Sequence, residues 1–73
     1  MTDEAMWFLA LLESVESMEI SILKNMLAYS GKWRSEVLEW LRREGYIEDL
    51  EGDRVKITHR GHKDFIREVL KDA

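Results

Sequence analysis

The chain has no cysteine and no proline. Without cysteine it can form no disulfide framework, no thiolate metal site and no cysteine nucleophile. Without proline it holds no polyproline segment and no rigid linker. Glutamine is missing as well, and Asn25 is the single asparagine, a scarcity of labile amides that matches the composition of heat-adapted proteins. The longest unbroken apolar run, Ala5 to Leu12, is far short of the roughly 20 residues that span a bilayer. Asp3 and Glu4 stand where a secretory signal would carry cations. Those absences lead us to expect a cytoplasmic protein that does not enter a membrane.

What is present is 73 residues, enough for one small α+β domain over 1–73 and one core. Apolar residues make up 45% and charged residues 36%, the balance of a chain that folds and not of a disordered tail. The net charge of −4 has the wrong sign for an indiscriminate nucleic-acid binder. That deficit lies entirely upstream. Met1–Gly31 carries Asp3, Glu4, Glu13, Glu16 and Glu19 against Lys24 alone, whereas acids and bases balance from Lys32 onward. Any basic surface must therefore be made by geometry.

Thr2 is placed to cap a helix that starts with Asp3 and Glu4 and continues through Met6–Leu12 with hardly a polar residue. A helix apolar all round needs cover on more than one side. Glu13–Ser17 reads as a connection, and Ser17 as the cap of a second helix with Ile20, Leu23, Met26 and Leu27 at helical spacing. Ser30-Gly31 ends it. A third helix is expected from Lys32 to about Glu44, with Val37, Leu38 and Leu41 inward and Trp33 and Trp40 at the border. Glu39 and Arg43, four apart, are set to pair along its outer face. Gly45 stops it. Tyr46–Glu48 and Arg54–Ile57 then read as a two-stranded hairpin around Glu51-Gly52-Asp53, and Thr58 as the cap of a last helix striped by Phe65, Ile66, Val69 and Leu70.

Two phrases in this order are distinctive. Leu41-Arg42-Arg43-Glu44-Gly45-Tyr46-Ile47 resembles the end of a recognition helix, and Val55-Lys56-Ile57-Thr58-His59-Arg60-Gly61 resembles a second wing strand entering the final helix. Together, over about Ile20 to Leu70, the chain resembles the winged helix-turn-helix regulators, in particular the small archaeal type with a MarR- or PadR-like core. The resemblance implies three helices, a two-stranded wing and a C-terminal helix. It also implies a homodimeric transcription regulator that sets its third helix in the major groove of double-stranded DNA at a short palindromic site. Carried over by position, the DNA-contacting residues would be Lys32, Trp33, Arg34, Ser35, Glu39, Arg42 and Arg43 around the third helix. Arg54 and Lys56 on the wing and Arg60 beyond it complete the set.

Other readings stay beside that one. Glu36, Glu39 and the acidic tip Asp49-Glu51-Asp53 would be repelled by phosphate, which favours a winged-helix module that binds a protein partner instead. His59 and His62 have the spacing of a metal pair but no third ligand in the motif, so no metal or cofactor is expected. No phosphate-binding glycine loop, nucleophile elbow or H-E-x-x-H motif is present, so no enzyme activity is expected. Dimer contacts are expected from Trp7, Phe8, Leu11 and Leu12 of the first helix with Ile66 and Leu70 of the last, because a core this small cannot cover all of them.

Overall fold

The structure is a computed structural model that describes residues 1–71. It is an α+β fold of four helices and one three-stranded antiparallel sheet. In chain order these are α1 (Asp3–Glu13), β1 (Met18–Glu19), α2 (Ile20–Tyr29), α3 (Ser35–Arg43), β2 (Ile47–Leu50), β3 (Arg54–Ile57) and α4 (His59–Lys71). The order within the sheet is β1-β3-β2, with Met18 opposite Val55 and Glu48 opposite Lys56. This layout is compatible with a winged helix.

The Thr2 cap forms as expected, its hydroxyl accepting from the Ala5 N–H at 3.2 Å. The Ser17 cap does not. Arg54 takes that hydroxyl, donating from Nε to Ser17 Oγ at 2.9 Å and from Nη2 to the Ser17 carbonyl at 3.2 Å. Ser17 is thus tied to the hairpin, and the next two residues extend into β1, a third strand beyond the expected pair. The first free N–H of α2, on Ile20, is satisfied across the sheet by the Asp53 carbonyl at 2.8 Å.

The third helix is shorter than expected, beginning at Ser35 and not Lys32. Gly31, at φ 72°, closes α2 in the left-handed conformation. Its N–H reaches the Ala28 carbonyl, and the Lys32 N–H reaches the Leu27 carbonyl at 2.7 Å. This is a Schellman closure, and it engages the Lys32 backbone before a new helix can start. The same device ends α3. Gly45, at φ 74°, bonds to Arg42, and Tyr46 bonds to Leu41.

One core results. Ala5, Phe8, Leu9 and Leu12 of α1, Leu23 and Leu27 of α2, and Leu38 and Leu41 of α3 meet Met18, Tyr46, Ile47 and Val55. Helix α1 is its central element and touches α2, α3, α4 and the sheet. Phe8 and Leu12 are completely enclosed there, so their expected place in a dimer interface is corrected. Spaced four apart on the inward face of α1, they cannot reach a partner without unfolding the domain. Leu11 is half-buried against the same core. Only Trp7, Ile66 and Leu70 of the expected dimer contacts are exposed.

Candidate nucleic-acid interface

A short turn joins helices α2 and α3, and the β2–β3 hairpin follows them. The turn is pinned from inside. Trp33 stacks on Phe8 with ring centroids 5.6 Å apart and is half-buried by that packing. Two ammonium groups lie over indole faces beside it, Lys24 over Trp33 at 6.0 Å and Lys32 over Trp7 at 4.8 Å. Such contacts hold a cation in place without cancelling its charge. Tyr29, the last residue of α2, is 96% exposed.

Most of the other cations expected at DNA already have carboxylate partners. Arg34 Nε is 2.9 Å from Glu4, and its Nη1 is 3.8 Å from Glu36. Ser35, in the first turn of α3, donates to Glu36 at 3.4 Å. Arg42 donates from Nε and Nη2 to Asp49 of the hairpin at 2.9–3.1 Å and from Nη1 to Glu39 at 2.5 Å. The hydrogen bonds to Asp49 hold its guanidinium pKa above the ordinary arginine value, against the opposing effect of burial. Glu39 therefore pairs three residues on, with Arg42, and not four residues on with Arg43 as its spacing suggests.

Lys56 sits 3.3 Å from its cross-strand neighbour Glu48. Arg54, besides holding Ser17, is 3.7 Å from Glu19, so it braces β1 to β3. Arg60 lies over the Tyr46 ring at 5.1 Å and 3.9 Å from Glu44. The Asp64 carboxylate and burial raise the Tyr46 phenol pKa above its ordinary value, while the Arg60 charge opposes them. His62 is paired to Glu13 at the end of α1, and among the described residues no group of three or more metal-ligating side chains gathers around the histidines.

The geometry therefore divides the expected residues. Among the described residues of α2, the turn and α3, Lys24, Lys32 and Arg43 are the cations that no carboxylate faces within 4.0 Å. Arg34, Arg42 and Lys56 face outward but are already neutralised. Two features lay outside the sequence reading. Lys24 lies on the second helix, to which the resemblance assigned no DNA contact. The Arg42–Asp49 link joins residues seven apart, across a helix end that had to be built first.

Comparison of the chain with family models, with curated proteins and with solved structures finds no match. No described helix is long and apolar enough to cross a membrane.

Proposed function

We propose that this chain is a winged helix-turn-helix DNA-binding regulator that works as a homodimer, with α3 at the major groove and the β2–β3 hairpin as the wing. The observation that carries the reading is the placement of the unneutralised cations. Lys32 stands just before α3, Arg43 in its last turn and Lys24 on α2, so three cations without a carboxylate partner lie on the unit that approaches DNA in this fold, besides Lys63 and Lys71 of α4. Duplex phosphates release condensed counterions when such cations replace them, at about 0.9 per contact. Lys32→Ala with Arg43→Ala should therefore lower the slope of log affinity against log salt by about two units, across all sequences in a random-duplex pool. Arg34→Ala should change it less, because Glu4 already neutralises that guanidinium. An unchanged slope in a folded double variant would remove the unit from the interface.

A second reading, a winged-helix module for a protein partner without DNA binding, has an observation of its own. Asp49 and Glu39 neutralise Arg42, and Ile22, Met26 and Tyr29 form an exposed apolar stripe at i, i+4 and i+7 on α2. Glu39→Gln with Asp49→Asn separates the two. On the DNA reading the change frees Arg42, tightens nonspecific duplex binding and steepens the salt slope by about one unit. If duplex binding stays undetectable in both proteins, the protein-partner reading is the one left standing.

A further inference from the structure

The exposed face of α3 carries more acid than base. At about 100° per residue, Ser35, Glu36, Glu39 and Arg43 fall within roughly a third of a turn, on the side away from buried Leu38 and Leu41. These four are the exposed residues of the helix. Lys32 stands before it and Arg43 in its last turn, so in sequence the two glutamates lie between the cations assigned to phosphate. On a surface that meets a polyanion, two carboxylates at the centre call for a reason.

Their ion pairs do not hide them. Glu39 gives Oε1 to Arg42 at 2.5 Å, and no donor among the described residues reaches its Oε2. The Glu39 side chain remains 61% exposed. Glu36 is 73% exposed, with Arg34 3.8 Å from its Oε1 and the Ser35 hydroxyl 3.4 Å from its Oε2. Both guanidinium groups are held from behind, Arg34 by Glu4 and Arg42 by Asp49. Each glutamate thus has a fixed positive neighbour that offsets part of its charge, and each keeps accepting capacity toward solvent.

Residue type then decides what such a face can recognise. An ionised carboxylate accepts hydrogen bonds and donates none. In the major groove guanine and thymine present acceptors, and adenine sets an acceptor beside its donor. Cytosine presents its N4 amino donor alone. Glu36 and Glu39 are three residues apart, about 4.5 Å along the helix axis, which is near the rise of about 3.4 Å between base pairs. One helix face can therefore address two neighbouring pairs.

We infer, resting on the proposed DNA-binding function, that Glu36 and Glu39 read bases and select cytosine at two neighbouring positions in each half of the site. Phosphate repulsion then contributes to selectivity. The carboxylates lower affinity for every duplex, and only one that sets cytosine amino groups opposite them returns charge-assisted hydrogen bonds.

Selection from a random-sequence duplex pool, followed by titration of the recovered site and its single-pair variants, tests this. The native chain should recover two neighbouring cytosines, and replacing either should weaken binding about tenfold. Glutamine presents a donor beside its acceptor and pairs with adenine N6 and N7. Glu36→Gln and Glu39→Gln should therefore each change one position, a different one in each variant, from cytosine to adenine. Both positions are exposed, so circular dichroism should show the native fold. Tighter binding with the cytosine preference unchanged would make the glutamates general repellents. That result, or a native site without the two cytosines, overturns the inference and leaves DNA binding standing. Absence of duplex binding by the native chain overturns the DNA reading, and this inference with it.

Discussion

Gly61→Ala should lower the melting temperature by roughly 5–20 °C at fixed protein concentration, although alanine is the better helix former. A Cβ at this position would stand 2.2 Å from the Tyr46 carbonyl oxygen and 2.8 Å from Ile57 Cγ1. The carbonyl cannot move freely, because it accepts from the Thr58 N–H at 3.0 Å. Thr58 also holds both sides of the junction, its hydroxyl donating to the Gly45 carbonyl at 2.7 Å and accepting from the Gly61 N–H at 3.0 Å. Overpacking of a rigid site costs about 1–3 kcal/mol and sometimes more, and the loss of the Thr58–Tyr46 bond adds about 1. The gain in helix propensity returns about 1 kcal/mol. The clash wins. A net loss of about 1–3 kcal/mol is large against the roughly 4–11 kcal/mol expected for a domain of this length. His59→Ala in the same first turn meets only solvent and should move the melting temperature by no more than about 4 °C. Equal shifts for the two variants, read by circular dichroism, would contradict the close approach.

Gly61 also marks where sequence suffices and where it does not. Local chemistry was legible: the Thr2 and Thr58 caps, the glycine closures of α2 and α3, and the bounds of β3 follow from residues that act within a turn of themselves. The failures share one cause, a long-range partner that outcompetes a local one. Ser17 is a sound cap until Arg54 arrives from 37 positions away. Arg43 is a sound mate for Glu39 until Asp49 fixes Arg42 between them. On α1 nearly every position is apolar, so periodicity could not tell enclosed Phe8 and Leu12 from exposed Trp7. The candidate site was the least legible, because a phosphate contact depends on net local charge. Residue type supplies the cations, but only the fold shows which of them a carboxylate has already met.

Phe8→Ala should cost about 3–5 kcal/mol, enough to unfold a substantial fraction of the chain at 37 °C. The phenyl ring is completely enclosed and is the largest fully buried side chain of the core, so its removal leaves a large cavity. Its loss should also reach the candidate interface. Trp33 rests on Phe8, and the Trp33 backbone links the closure of α2 to the first turn of α3. With the ring gone, the stacked indole loses its platform, and Lys24 and Lys32 lose the fixed geometry given by the aromatic cluster around Trp33 and Trp7. Stability and duplex affinity should therefore fall together in Phe8→Ala. In Trp7→Ala the exposed ring is removed, the core is untouched, and the melting temperature should move by only a few degrees. Thermal denaturation with tryptophan fluorescence distinguishes the two. A Phe8→Ala protein that melts like the native chain and differs only in mass would return Phe8 to the outer face of α1 and contradict the packing described above.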